Sequence, residues 1–262
     1  MMKENNHWGS MHFEADASGR QFLAVDKLPE QLTGKEFQLR IRLADGGVRR
    51  YMIFKQSAGN YGDYSEYMKR HGCACCSLTT LLAAYVEECY DLRPEDTVKK
   101  VEREAFDPSV WEYNYSRHIA RQMPVSLLGI SCILGKYQIP HRYVGDFQDE
   151  KAEEEITRHL QSGRPVIIET SRMRRKNGHI VRFFDKRFAG SYHTMILLGM
   201  EKSGKVIFTD SAARAWAGEK QRLKWARLSE LLPYMFPQKR TWDNHVYFSG
   251  RRNTGGYILI EE

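Results

Sequence analysis

The spacing of the apolar residues changes along this chain, from helical spacing to short β-rich runs, close to residue 163. Before that point, the periodicity predicts helices over about 73–90, 94–103, 125–134 and 150–161. After it, runs separated by Gly, Asn and Ser turns predict strands at 164–170, 192–200, 205–210, 245–248 and 257–260. Helices followed by strands predict an α+β fold with two lobes.

Two further segments precede the first predicted helix. Residues 37–43 and 48–54 alternate apolar and polar side chains around the turn at 44–47, which predicts a β-hairpin ending at Gln56. Residues 1–33 show little periodicity, and we expect them to form an irregular N-terminal extension. Residues 34–262 are interpreted as one domain, with a helical lobe over about 73–162 and a sheet lobe over about 163–262 plus the 37–56 hairpin.

The composition argues against a membrane protein and a secreted one. The sequence is 42% hydrophobic, enough for a sizeable core, yet it has no run of roughly 18 apolar residues. Residues 1–20 are polar and contain no apolar signal segment. Five cysteines, three of them within 73–76, do not look like a disulfide framework. We therefore expect a cytoplasmic protein without a membrane segment.

The formal charge of +7 comes mainly from the second half of the chain, which contains a basic stretch at 172–187. The cations of this stretch are Arg172, Arg174, Arg175, Lys176, Arg182, Lys186 and Arg187. Such a stretch can attract anions, but it contains no recognisable nucleic-acid module, and its phenylalanines alternate with charges. It is interpreted as a solvated basic face, and no nucleic-acid partner is expected.

Cys73 lies at the start of a predicted helix, a position that can make a thiol reactive. The first turn of a helix has unpaired N–H groups and a positive dipole end, which favour a thiolate. Gly72 would let the backbone turn sharply into the helix and leave room for a substrate. We therefore expect Cys73 to be exposed and to have a lowered pKa. Cys89 and Cys132, within apolar helical patterns, are interpreted as core thiols.

Two other uses of the cysteines fit the same sequence. All five could be packing residues, because thiols are often buried. His71, Cys73 and Cys76 could instead ligate a metal ion, but no second Cys-x-x-Cys or His-x-x-x-His pair follows to complete a tetrahedral shell. No metal and no other cofactor is therefore predicted.

His193 is the histidine best placed to act as base for a thiol. It opens an apolar strand, so its ring can stand at the rim of a sheet on a rigid element. Asp210 ends the next strand, and the turn at Ser203-Gly204 would pair the two strands antiparallel. Both side chains are then expected at the same end of the strand pair. A structural histidine is the alternative, and Asp210 on the paired strand favours catalysis.

Four blocks of the sequence resemble the bacteriocin-processing (double-glycine) peptidase-like family, a branch of the papain-like cysteine peptidases. Residues 72–85 are similar to the family's nucleophile helix, which typically begins Gly-Cys-Gly-Pro, although Ala74 and Cys75 replace the Gly-Pro here. The others are 163–168, similar to its Gly-Lys-Pro-Val strand, 192–199, and 206–211, where Asn-Asp-Pro is usual. The resemblance extends roughly over residues 50–212.

The resemblance implies a papain-like fold, with a helical lobe that carries the nucleophile packed on an antiparallel sheet lobe that carries the histidine. It implies Cys73 as nucleophile, His193 as general base and acid, and Asp210 as the group that orients the imidazole. Gln56 becomes the candidate oxyanion-hole donor if a long loop precedes Cys73, whereas the short-loop position is Tyr67. The alternative for Gln56 is a solvated glutamine at a strand end.

These residues predict a cysteine peptidase or amidase that cleaves a peptide or amide substrate through a Cys-His-Asp triad and an acyl-enzyme. A related acyl or peptidyl transferase would use the same chemistry with an amine or thiol in place of water. A non-catalytic peptide-binding relative would keep the fold and the cleft. The sequence indicates neither the particular substrate nor the oligomeric state.

Overall fold

The computed structural model describes residues 8–104, 126–171, 173–176, 179–184, 193–212, 221–236 and 255–261, with only the backbone of 101–104, 173–176 and 179–184. The helices are α1 (Ser65–His71), α2 (Cys73–Tyr85), α3 (Pro94–Glu104), α4 (Leu127–Lys136), α5 (Asp149–Leu160) and α6 (Leu228–Leu231). The strands are β1 (Trp8–Ala15), β2 (Gln21–Lys27), β3 (Glu36–Arg42), β4 (Val48–Phe54), β5 (His141–Val144), β6 (Val166–Thr170), β7 (Met173–Lys176), β8 (His179–Phe184), β9 (His193–Met200), β10 (Lys205–Thr209), β11 (Leu223–Arg227) and β12 (Tyr257–Ile260). The strand predicted at 245–248, and Arg172, Lys186 and Arg187 of the basic stretch, lie outside the described residues.

A six-stranded antiparallel sheet forms the centre of the described structure, in the order β11-β10-β9-β6-β12-β5. Its inner strands are buried on both faces. Ile167 and Ile196 belong to the core that includes α2, whereas Val166 and Met195 belong to the core that includes α5. Two buried faces require apolar residues at successive positions, so these strands appear in the sequence as continuous apolar runs. The predicted α+β class and antiparallel sheet are confirmed.

The irregular extension predicted for residues 1–33 is wrong over its described part. β1 and β2 pair antiparallel around a turn in which the Asp16 carboxylate accepts bonds from the backbone N–H groups of Ser18 and Arg20, at 2.9 and 3.1 Å. β1 also pairs in parallel with β3. The alternation in β1 rests on only two large buried apolar residues, Met11 and Phe13. The two-residue period is therefore weak in the sequence.

The predicted hairpin before the first helix is present as β3 and β4, which pair antiparallel. Because β3 also pairs with β1, the hairpin belongs to a separate four-stranded sheet in the order β2-β1-β3-β4. The hairpin was expected to belong to the sheet lobe. β5 was expected to lie in the helical lobe, but it pairs with β12 of the six-stranded sheet. Hydrogen bonding between distant segments sets this division, and local periodicity does not reveal it.

α2 lies between the two sheets and contacts β4 on one side and β9 on the other. Its residues from Cys73 to Ala83 are all buried, as is typical of a helix surrounded by protein. Predicted to extend to about residue 90, it ends at Tyr85. None of the helices in the described ranges is both long enough and apolar enough to cross a bilayer.

Candidate active site

Gly72 separates the end of α1 from Cys73, the first residue of α2. The sequence suggested that this glycine supplies backbone freedom, but its φ of −75° and ψ of −4° are accessible to any residue. Space is the actual requirement. A Cβ atom at this position would lie 2.9 Å from the Cα of Met68 and closer still to the Met68 carbonyl oxygen. Gly72 therefore lets α1 end directly against the start of α2.

The side chain of Cys73 lies in the interior, only 3% exposed, so the expectation of an exposed thiol is wrong. Its Sγ lies 4.0 Å from the Oγ1 of Thr194 and also interacts with the ring of His193. Burial raises the pKa of Cys73, but the hydrogen bond and positive charge of His193 outweigh it, so the pKa is lowered overall. The lowering of the Cys73 pKa, expected from the helix start, therefore comes from contacts with His193, with a further contribution from Thr194.

His193 is the first residue of β9 and is buried. Its Nε2 lies 2.9 Å from the Oδ1 of Asp210, which leaves Nδ1 for the thiol of Cys73. Burial acts to lower the pKa of His193, but the charge and hydrogen bond of Asp210, together with Cys73, raise it to about 9. The His193 ring is therefore protonated at neutral pH as long as the neighbouring Cys73 is in its thiolate form.

Asp210 follows the last residue of β10, and the strand register explains its position. β9 and β10 pair antiparallel with Thr209 opposite Ile196, so the end of β10 reaches the start of β9. The Oδ1 of Asp210 also accepts a bond from the N–H of Ala212 at 2.9 Å. Burial raises the pKa of Asp210, whereas His193 and Lys224 lower it, with a net lowering. The carboxylate is thus ionised beside the imidazole.

Lys224 is a member of this cluster that the sequence reasoning missed. It lies on β11, is 2% exposed, and places its Nζ 2.6 Å from the Oδ2 of Asp210. Arg222, also buried, donates to the carbonyl of Ala212 at 2.8 Å and accepts from the backbone N–H of Asp210 at 2.8 Å. Lys224 and Arg222 lie on either side of Leu223, and this sequence pattern is typical of a strand with its charged face in solvent. No local signal marks them as buried.

Gln56 lies two residues beyond β4 and is buried, so it is not a solvated glutamine at a strand end. Its side-chain oxygen accepts from the hydroxyl of Ser211 at 3.1 Å, and its backbone N–H donates to the Ser211 carbonyl at 3.0 Å. Its amide nitrogen donates to the carbonyl of Lys69 at 3.2 Å. Ser211 follows Asp210, and Lys69 lies four residues before Cys73. Gln56 therefore connects the segment that carries Asp210 to the segment that carries Cys73.

The other residues considered for an oxyanion or a metal site lie close to Cys73 in the sequence. Tyr67, the other candidate oxyanion donor, lies in α1 and packs its ring against His71, with centroids 5.8 Å apart. His71, Cys73 and Cys76 were the candidate metal ligands. Over the described parts of the chain, no group of three or more His, Cys, Asp or Glu residues is arranged to hold a metal ion. The other cysteines are thiols within or against the core: Cys75, Cys76, Cys89 and Cys132.

A chain of contacts thus runs from Lys224 through Asp210 and His193 to Cys73. It favours the thiolate form of Cys73 beside the imidazole, and it holds the imidazole beside a carboxylate whose pKa is lowered. Such a thiolate can attack an electrophilic carbon, and the imidazole can then give its proton to a leaving group. The arrangement is suited to acyl transfer.

The comparison with known families gives one match over most of the chain. The model of the peptidase C39-like family matches residues 50–233, a segment that contains Gln56, Cys73, His193 and Asp210. The resemblance inferred from the four sequence blocks is thereby confirmed. No curated protein and no solved structure matches the chain.

Proposed function

Because this chain belongs to the peptidase C39-like family, we propose that it is a cysteine peptidase or amidase with Cys73 as nucleophile. The observation that carries the proposal is the buried contact chain in which His193 Nε2 lies 2.9 Å from Asp210 Oδ1 and the His193 ring interacts with the thiol of Cys73. Its natural substrate is a peptide or another amide. The roles of His193, Asp210 and Gln56 described for this reaction are part of the same proposal.

The first step is attack by the Cys73 thiolate on the carbonyl carbon of the substrate. A lowered pKa supplies the thiolate, and the buried position of Sγ keeps water away from it. Asp210 orients the imidazole through Nε2, so that Nδ1 carries the proton that faces the sulfur. His193 then donates that proton to the leaving amine, and the acyl group stays on Cys73.

Gln56 supports stabilisation of the oxyanion. Of the two hydrogens on its amide nitrogen, one is used by the carbonyl of Lys69, and the other is available to a substrate oxygen. The bond from Ser211 to the side-chain oxygen fixes which way the amide points. Together with the backbone N–H of Cys73, this donor would stabilise the negative charge of the transition state, by roughly 3–4 kcal/mol per donor.

Hydrolysis of the acyl-enzyme completes the cycle. With the amine gone, His193 is neutral and accepts a proton from an incoming water, which attacks the thioester. Asp210, held ionised by Lys224, stabilises the imidazolium that forms again. Collapse of the intermediate expels the Cys73 thiolate and restores the starting pair.

The proposal extends to the setting of the site. We assign a papain-like arrangement, in which α2 brings the nucleophile to the end of the six-stranded sheet where His193 and Asp210 stand. A reducing, cytoplasmic location is supported by the five cysteines, which are thiols. The four-stranded sheet, which includes β1 and β2, packs against α2 and is assigned to the same domain.

The experiment that tests the proposal is acid-quench mass spectrometry of the full chain mixed with a library of N-terminally blocked peptide amides. We expect an acyl adduct on the tryptic peptide that contains Cys73, followed by release of shortened peptides. Cys73→Ala and His193→Ala should show neither adduct nor products. Cys75→Ala, a change of the same size in the same buried turn, is the matched control and should behave as wild type.

The outcomes separate the candidate activities. Products that carry an added amine in place of water would assign a transferase. Saturable peptide binding without any adduct would assign a binding protein and would overturn the proposal, as would an adduct that persists in Cys73→Ala.

A further inference from the structure

The first turn of α2 contains a second thiol beside the proposed nucleophile. Cys73 and Cys76 form a Cys-x-x-Cys pair that starts at the first helical residue, and the N–H of Cys76 donates to the carbonyl of Gly72 at 2.8 Å. Side chains three residues apart lie next to each other on a helix, whereas those two apart point to different sides. Cys76 is therefore the neighbour of Cys73, and Cys75, which is also buried, is not.

The two neighbouring thiols have opposite environments. His193 lowers the pKa of Cys73 against the effect of burial. Burial raises the pKa of Cys76 well above that of an ordinary thiol, and the adjacent Cys75 and Cys73 add to this effect. Cys73 is thus the thiolate of the pair, and Cys76 keeps its proton until a reaction draws on it. In such a pair the thiolate is the sulfur that is oxidised first. The protonated second thiol then reacts with the oxidised sulfur to form a disulfide.

We propose that Cys76 is a resolving cysteine, which forms a reversible disulfide with Cys73 when a peroxide oxidises the Cys73 thiolate. The Cys-x-x-Cys spacing at the start of α2 carries this inference, together with the burial of both thiols. The effect of the disulfide, which is to inactivate a peptidase, rests on the proposed function. The formation of the disulfide is independent of the proposed function.

The oxidation balances with hydrogen peroxide as the two-electron oxidant. The Cys73 thiolate attacks one peroxide oxygen and the O–O bond breaks, which gives a sulfenic acid and a hydroxide that takes the proton of His193 to become water. The sulfur of Cys76 then attacks the sulfenic sulfur, the S–O bond breaks, and the hydroxyl group leaves with the Cys76 proton as a second water. Two thiols have lost two electrons to one peroxide.

The backbone geometry allows the bond. Residues three apart in an α-helix have Cα atoms about 5 Å apart, inside the range of about 4.4–6.8 Å found in disulfides. The Cβ atoms, about 5–6 Å apart on a regular helix, must approach to about 4 Å. This adjustment falls in the first turn, where the leading N–H groups have no intrahelical partner, so few helical hydrogen bonds are disturbed.

Disulfide formation also changes the site. Sγ of Cys73 must turn from His193 toward Cys76, so the thiolate and its contact with the imidazole are lost together. Since Cys73 is one of the groups that raise the pKa of His193, that pKa should fall on oxidation. Reduction by a dithiol such as dithiothreitol restores both thiols. The pair would protect Cys73 from further, irreversible oxidation to sulfinic acid.

The test is oxidation of the full chain with a small excess of hydrogen peroxide, enough for a second oxidation step, followed by intact mass, thiol titration and peptide mapping. We expect the mass to fall by about 2 Da as two of the five thiols disappear. The map should link Cys73 to Cys76, and dithiothreitol should reverse the change. Cys76→Ser should instead accumulate Cys73 heavier by roughly 16 or 32 Da, the latter not reversed by dithiothreitol.

Cys75→Ser is the matched control, a buried thiol in the same turn, and should oxidise as wild type does. Cys76→Ala carries the same expectation as Cys76→Ser and covers the case in which a buried serine disturbs the fold. A wild-type protein that goes directly to sulfinic acid, or a link from Cys73 to Cys75, would overturn the inference. Because mass is the readout, a disulfide in a protein without peptidase activity would contradict only the proposed function.

Discussion

Replacing Lys224 by methionine removes a charge from the site while keeping nearly the same length of side chain. Lys224 is 2% exposed, Asp210 is 0% exposed, and 2.6 Å separates Nζ from Oδ2. Loss of one partner from a buried ion pair costs about 3–5 kcal/mol when the remaining charge is left uncompensated. His193 still contacts Asp210 in the variant, so this range is the upper bound of the cost. At roughly 2–4 °C per kcal/mol for a chain of this size, the melting temperature should fall by at most roughly 6–20 °C. Lys205→Met, at the exposed start of β10, is the matched control and should change stability by less than about 0.5 kcal/mol.

The pH dependence of this deficit identifies its cause. In the folded protein the pKa of Asp210 is lowered, so its ionisation stabilises the fold above about pH 4, and this stabilisation is lost as the pH falls. Without Lys224 the lowering is smaller, so wild type and variant should become more similar in stability as the pH falls. Thermal melts at about pH 7.5 and in steps down to about pH 2 measure the difference, because the stabilisation is lost only as the pH falls through the lowered pKa of Asp210. A difference in stability that stays equally large over this whole range would mean that Lys224 acts through packing, and would refute the ion-pair reasoning.

Three further substitutions test single parts of the site. Gly72→Ala should lower the free energy of unfolding by about 1–3 kcal/mol in a urea titration, because the new Cβ meets the Met68 backbone; an unchanged value would mean that α1 can shift away. Gln56→Ala should lower kcat roughly a hundredfold or more with a smaller change in KM, and should cost about 1–3 kcal/mol of stability because buried hydrogen bonds are lost. Tyr67→Phe is its nearly silent control, and the reverse result would move the oxyanion donor to α1. Asp210→Asn should leave slow turnover and lower the pKa of His193 from about 9, which NMR titration of the ring measures; an unchanged pKa would mean that another group sets the charge of the imidazole.

Residues with local signals were the ones that sequence reasoning could place. Cys73 begins an apolar helix after a glycine, and His193 begins an apolar strand. A short turn joins that strand to the one before Asp210, so the antiparallel register, and with it the meeting of the two side chains, follows from neighbouring sequence alone. The helix start, the strand start and the hairpin are all features of short segments.

Residues whose role depends on distant contacts were not recognisable. Lys224 is buried only because β11 pairs with β10 and brings the ammonium to Asp210, and an isolated lysine in a short run looks solvated. The burial of Gln56 depends on Ser211, 155 positions away in the sequence. The purpose of Gly72 was wrongly inferred for a similar reason, since the space it leaves becomes visible only with Met68 beside it.

Limited alkylation with iodoacetamide at about pH 6 tests most directly whether Cys73 is the activated thiol of this site. Exposure alone would favour Cys132, which is half-buried, over Cys73, which is buried. The lowered pKa of Cys73 favours the opposite order, because the thiolate is the reactive form. Peptide mapping at low labelling should therefore find Cys73 modified first, and His193→Ala should remove this preference. Labelling of Cys132, Cys75 or Cys76 ahead of Cys73 in the wild type would contradict the account.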